Sequence, residues 1–278
     1  MPLYNGGRIG SNNDPTTSLA SGLWTGLEQC DAVRREIWPG FVPIVTDGLL
    51  IRLDAGDSAS YPGSGSAWYD LSGNNYHMSL KNSPSFFSSG SNKYFDLNGS
   101  NNHGICDGTV AGSVSATVAN LGVGGSNEKT VVCVAMVDNN IGSNDGGLFD
   151  LGDYNSNGRH YCLRLNNSYA AFRAQFWGTG DYDFSYDGRA IWTMYSVVYG
   201  NDKIGKTYGN NGALLGQDGS AINLTTAGSR PFEMGRYSQS SGTNYFGGKI
   251  AVYLVYNRGL TQSEVTQNFD ALNGRYGF

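Results

Sequence analysis

Asp181 and Asp183 stand two residues apart in GTGDYDFSYDG, the spacing that puts side chains on one face of a strand. Glycoside hydrolysis uses two such carboxyl groups, one protonated and one ionised, flanking a single bond. The other acids offer little to that chemistry. Only five glutamates occur (Glu28, Glu36, Glu128, Glu233 and Glu264), and they form no E-x-D-x-x-E pattern. Glu28 and Glu264 each follow a threonine by three residues, the spacing of a helix capping box. Asp181 and Asp183 lie among turn residues, where an acidic hairpin is the simpler account. His77, His103 and His160 are isolated along the chain, and no G-x-S-x-G elbow is present. The chain reads as non-enzymatic.

Hard oxygen donors gather in VDNNIGSNDGGLFD, where Asp138, Asn144, Asp145 and Asp150 could hold calcium, the one cofactor the sequence suggests. Turns favour Asn and Asp for their own reasons, so the run also reads as plain turn. Cys30, Cys106, Cys133 and Cys162 have no metal-like spacing and are too sparse for a disulfide scaffold. They read as reduced, with Cys133 and Cys162 as small core residues. A third chemistry is stacking on sugars. In IWTMYSVVY, Trp192, Met194 and Val198 are assigned to the core, leaving Tyr195, Val197 and Tyr199 outward. In KIAVYLVYN, Ile250, Val252, Leu254 and Tyr256 alternate with Ala251, Tyr253 and Val255. Strands apolar on both sides are covered on both, or bind something. Cover by the N-terminal arm or a neighbouring subunit is one reading. A platform of Tyr195, Tyr199 and Tyr253 is the other.

The elements that must position these residues are strands. Of 278 residues, 41 are glycine and only 15% are charged, the usage of many short strands joined by tight turns. Asn-Gly or Asp-Gly pairs recur from 47–48 to 218–219, as hairpin turns require. Between them lie strand-like runs, among them 48–55, 93–97, 129–137, 147–152, 160–165, 170–176, 191–200, 232–237 and 247–257. Spacing of this kind predicts an all-β sandwich or jelly roll. Residues 1–45 differ. A Gly/Asn/Ser-rich lead precedes a short helix expected over about 26–37, with Thr25 and Glu28 as its cap and Pro39-Gly40 as its stop. One such helix cannot stand alone. Residues 1–45 are therefore expected to be an assembly or docking arm, with Trp24 among its contacts, and 46–278 a jelly-roll domain. A C-terminal helix is expected over about 262–272, capped by Thr261 and Glu264 and ended by Asn273-Gly274.

The net charge of −5, without a basic run, argues against nucleic acid. No apolar stretch is long enough to span a membrane, and the first residues lack the pattern of a signal peptide.

Several segments, taken in order, resemble the laminin-G/pentraxin-like superfamily of concanavalin-type jelly rolls. GLLIRLDAGDSASYPGSGSAWYDLSGNNYHMSL (48–80) resembles its opening strand and D-x-S-G-N loop, and YFDLNGSNN (94–102) its F-D-G turn. MGRYSQSSGTNYFGGKIAVYLVYNRGLTQSEV (234–265) resembles its closing strand and Y-N-R-x-L. The likeness spans about 46–275. It implies a concanavalin/laminin-G-like fold, with calcium at one rim in some members, and little about function. The opening G-x-I-G-x-x-N-x-P-T and the closing L-T-x-x-E-V-x-Q-N-F are similar to segments of tailed-bacteriophage virion proteins. That likeness implies a virion surface component (decoration, fibre or spike), made in the host cytoplasm. It would dock by its arm onto other virion proteins or copies of itself and display a lectin-like jelly roll, with cell-surface glycans as further partners. A carbohydrate-binding module outside a phage is the alternative, and a glycoside hydrolase a weaker one.

Overall fold

The computed structural model describes residues 42–89, 92–138, 145–154, 156–166, 170–239, 242–276 and 278. The expected helix over 26–37, Trp24, Cys30 and Asn144 lie outside them. The strands are β1 Leu49–Asp54, β2 Ala67–Trp68, β3 Met78–Lys81, β4 Ser85–Ser89, β5 Asn92–Asn98, β6 His103–Ile105, β7 Lys129–Val137, β8 Gly147–Gly152, β9 His160–Leu165 and β10 Ala171–Gln175. They continue as β11 Tyr182–Ser185, β12 Thr193–Tyr199, β13 Gly205–Tyr208, β14 Leu214–Gln217, β15 Glu233–Met234, β16 Arg236–Gln239, β17 Gly242–Tyr245 and β18 Gly247–Tyr256. A one-turn helix α1 (Val118–Leu121) and the C-terminal α2 (Gln262–Tyr276) complete the elements used below.

One sheet runs β14-β13-β12-β7-β18-β5-β4, with β1 beside β18. The second runs β11-β10-β9-β8-β15-β6-β3-β2, and β16–β17 is a separate hairpin. The ladders are antiparallel. The result is the expected all-β jelly-roll sandwich with a C-terminal helix. No described helix is long and apolar enough to cross a membrane.

Alternation builds the layer between the sheets. β7 sends Val131, Cys133, Ala135 and Val137 inward and Val132 and Val134 to the other face. On β12, Tyr195 lies opposite Cys133, and directly opposed residues share a face. Tyr195, Val197 and Tyr199 therefore enter the inner layer, while Trp192, Met194 and Val198 face outward. This reverses the sequence assignment, because a strand apolar on both sides gives its alternation no sign. On β18 the register shifts between Ile250 and Val252. This bulge changes the phase, so Ile250, Tyr253 and Val255 share the inner layer and Val252, Leu254 and Tyr256 do not.

The outer face of the first sheet is covered by the chain itself. α2 lays Val265, Phe269, Leu272 and Tyr276 over it, joined by Ile44 and Val45. No neighbouring subunit is needed for that cover. The capping box forms in both directions: Thr261 N donates to Glu264 Oε2 (2.8 Å) and Glu264 N to Thr261 Oγ1 (3.3 Å). Arg258 clamps the same carboxylate at 2.7 and 2.9 Å. The helix runs past its expected stop because its last turn finds partners. Arg275 donates to both oxygens of Asp54 (2.8 Å each), and Tyr276 packs on Trp192. Val45 N donates to Asn268 Oδ1 and Tyr256 Oη to Val45 O. The sandwich thus already includes residues 44–45, which the sequence reading placed in the arm.

The residues that carry the family likeness are staples. The Asp70 carboxylate accepts from the backbone N–H groups of Arg52, Ser72 and Tyr76, which fixes the D-x-S-G-N loop against β1.

Candidate functional site

The second sheet differs on its outer face. Phe149 and Leu151 of β8, Tyr161, Leu163 and Leu165 of β9, and Phe172 and Ala174 of β10 point into the core. Their alternates Asp150, His160, Cys162, Arg164, Arg173 and Gln175 therefore share the opposite face. The β16–β17 hairpin lies over this row. Ser238 N donates to Asp150 Oδ2 (3.0 Å), and the Tyr237 ring stacks on His160 at 5.6 Å and beneath the Arg164 guanidinium at 5.0 Å.

His160 Nε2 pairs with Asp150 Oδ1, both fully buried. Burial alone would push the imidazole down, but the Asp150 charge and Cys162 beside it raise His160 well above its usual value. The pair is a histidine–aspartate contact wholly inside the protein. Arg164 donates to Gln175 Oε1 (2.6 Å) and Leu165 O (2.8 Å) and pairs with Asp145 (2.9 Å). Glu233, buried on β15, takes Arg236 (2.6 Å) and Arg230 (3.1 Å) together.

The sequence-derived site residues fall elsewhere or turn inward. Tyr195, Tyr199 and Tyr253 are each 0% exposed, so they form no sugar platform. Tyr199 Oη donates to Ile222 O, and Tyr253 Oη to Leu148 O. Two of the three described calcium candidates are already paired. Asp145 is taken by Arg164 and Asp150 by His160, both cations, and no group of three His, Cys, Asp or Glu among the described residues could hold a metal. Asp138 lies beside Asp96 at the end of β7, and its backbone N–H donates to Gly247 O. Cys133 is a core residue as expected, whereas Cys162 is buried on the outer side, next to His160. Asp181 holds a loop, accepting from Phe176 N (2.6 Å) and Gly178 N (3.1 Å). Asp183 is gripped by Arg173 at 2.6 and 2.8 Å, which keeps its carboxyl below the usual range. The two aspartates do different structural work.

At one end of the row the polar face opens into an aromatic rim. The β8–β9 hairpin carries Tyr154 and Arg159, and the loop after β10 carries Trp177. Both rings are half-buried, with centroids 5.8 Å apart. Trp177 has φ +61°, a strained conformation for so bulky a residue. The strain is over-determined. Asp181 fixes the backbone on both sides of Trp177, and Trp177 O accepts Gly158 N at 3.2 Å. Gly158 (φ +73°) suits the hairpin turn, and a Cβ there would come 3.1 Å from Thr225 Oγ1. The 224–230 strand of loop closes the rim: Asp153 N donates to Ala227 O and Ala227 N to Arg159 O. Arg230 lies over the Tyr154 ring at 5.6 Å.

Sequence reasoning missed this face. The signal was present in HYCLRL, where His160, Cys162 and Arg164 alternate with Tyr161, Leu163 and Leu165. One polar row on an interior strand marks a face that does not enter the core. A separate cleft of about 640 Å³ lies beside α2, between Val42, Leu272 and the closed Asp54–Arg275 pair.

No family model matches the sequence, and no curated protein does. Similarity is found to solved structures. The binding domain of botulinum neurotoxin DC, in complex with SialylT, aligns at TM-score 0.58 and 16% identity, over 82% of this chain and 52% of that one. A Trypanosoma rangeli sialidase in complex with sialic acid aligns at 0.57 and 15%, over 84% and 34%. The binding domain of Paraclostridial mosquitocidal protein 1 aligns at 0.54 and 17%, over 81% and 52%. The chain spans about half, or a third, of these proteins, and at such identities what it shares with them is the β-sandwich fold.

Proposed function

We propose that the chain is a non-enzymatic, lectin-type binding module that takes a glycan at the rim formed by Tyr154 and Trp177. The observation that carries this reading is Trp177, a large aromatic held in a strained backbone conformation with its ring half in solvent. Strain of that kind persists where a side chain must be presented. Amphipathic rings stack on the apolar faces of sugars while the polar rim meets their hydroxyls. Two similar structures, a neurotoxin binding domain and a sialidase, are described in complex with SialylT and with sialic acid, which favours a glycan as the ligand class. Against hydrolysis stands the engagement of the acids around this face: Asp183, Asp145, Asp150, Asp153 and Glu233 are each in an ion pair, and Asp181 is tied to the backbone of Phe176 and Gly178.

The finer reading is a virion surface component, a decoration, fibre or spike protein, that docks through residues 1–45 on virion proteins or on copies of itself. It rests on the phage-like opening and closing segments. Glycan-array binding by the full chain tests the module. Trp177→Ala should abolish retention and leave the melting temperature nearly unchanged, and sugar release from any polysaccharide would overturn the non-enzymatic reading. Deleting residues 1–41, which spares the packed Ile44 and Val45, tests the arm: the β domain should fold and assembly should be lost.

A further inference from the structure

We infer that the glycan taken at this rim is acidic, its carboxylate or sulfate ester lying against Arg159 and Arg230. The inference rests on the binding-module reading and adds the ligand's charge. Both arginines stand on segments that build the rim. Arg159 follows Gly158, the residue bonded to Trp177 O, and Arg230 covers Tyr154. A guanidinium has five N–H donors in a planar fork. Here each spends one nitrogen on protein acids. Arg159 Nη2 reaches Asp153 at 3.1 Å, and Arg230 Nη2 reaches both oxygens of Glu233 at 3.1 Å. The Nε–H of each is buried and has no partner. The two side chains are nevertheless 34% and 27% exposed, so an acceptor in solvent can reach their other guanidinium N–H groups.

The charge balance points the same way. Arg159, Arg230 and Arg236 face Asp153 and Glu233, so three guanidinium groups meet two carboxylates. His103, which contacts Arg236, is pushed down by burial, with Arg236 and Lys81 adding to the effect, and brings no second cation. Among these five groups one positive charge is left over, in a chain whose net charge is −5; Asp181, beside Trp177, is held by backbone N–H groups rather than by a cation. A planar anion matches the fork geometry of arginine better than a neutral hydroxyl does.

The test compares sialyllactose, 3′-sulfolactose and lactose as ligands for the full chain, with binding read by calorimetry. At least one acidic ligand should bind about tenfold or more tighter than lactose at low salt, with the advantage shrinking as salt rises. Arg159→Gln should erase that advantage. Arg230→Lys, which keeps the charge and the contact with Glu233 but loses the fork, should weaken the acidic ligands alone. Equal affinity for all three ligands, or an acidic preference untouched in both variants, overturns the inference, while loss of lactose binding in Trp177→Ala would leave the platform standing. Retention of no glycan at all overturns the binding module itself, and the inference with it.

Discussion

The two sheets are finished off on their outer faces by opposite means. The first ends in an apolar surface sealed by α2, through Val265, Phe269, Leu272 and Tyr276. The second ends in a charged surface partly roofed by the β16–β17 hairpin, through the Asp150–His160 pair, the Tyr237 stack and the Glu233 clamp. An apolar seal is non-directional and tolerates relaxation, because its free energy follows area. A buried ionic seal depends on each partner being present, since the lone survivor keeps its desolvation cost. The comparison places structural robustness on the helix side and specificity on the hairpin side.

The sharpest break falls on the ionic side. His160→Ala leaves Asp150 buried with no cation and should cost about 3–5 kcal/mol in urea unfolding. A double replacement, Asp150→Leu with His160→Leu, should cost clearly less than the single change. If the single substitution costs less than the double, the pair does not hold the hairpin side together. On the apolar side Leu272→Ala removes a buried side chain from a surface helix that can settle into the gap. The expected loss is about 2–3 kcal/mol, toward the low end for such changes, with glycan binding unaffected.

The same contrast explains what could be read in advance. α2 was legible because its start is written locally, in Thr261 and Glu264, and its stripe in Val265, Phe269 and Leu272. The strands of the first sheet were legible as strands, but not by face: Tyr195 and Met194 are equally apolar neighbours, and only pairing with Cys133 decides between them. The bulge at Ala251 has no local signature at all. The polar face was hidden for another reason. Asp150 and His160 meet across one hairpin while Glu233 lies far along the chain, and each alone reads as an ordinary histidine or a turn acid. Their meaning comes from strand order β9-β8-β15, a property of the whole sheet.

Acidity should separate the two faces by sign. His160 has a raised folded pKa, so its contribution is fully present below the unfolded value of about 6.5 and is lost as pH rises through the folded value. The stability difference between wild type and His160→Gln should therefore shrink from about pH 6.5 upward, by at most about 1.4 kcal/mol per pH unit. Lys129 pulls the other way. Buried, with Lys203 nearby, it is lowered to about 7, so its contribution to stability grows above that pH. It is common to both proteins and cancels in the difference. A difference that grew with pH would contradict an imidazolium at position 160.

The smallest effect belongs to the cap of α2, and it carries the opposite sign. Arg258, and then the Thr261 backbone and hydroxyl, hold the Glu264 carboxyl down at about 2. Its folded pKa lies below its unfolded value of about 4.3, so its contribution is present above that value and lost as pH falls toward 2. Thr261→Ala removes the hydroxyl that accepts Glu264 N and should cost about 1 kcal/mol at neutral pH. Glu264→Gln keeps an acceptor for Thr261 N but gives up the charge against Arg258, so its deficit should fade between about pH 4.3 and 2. Melting curves of wild type and Glu264→Gln over that interval decide the matter. Convergence at low pH assigns the helix-side electrostatics to this one carboxylate. A constant gap would mean that packing lost on substitution, rather than charge, sets the cost, and the helix side would then be apolar even at its cap.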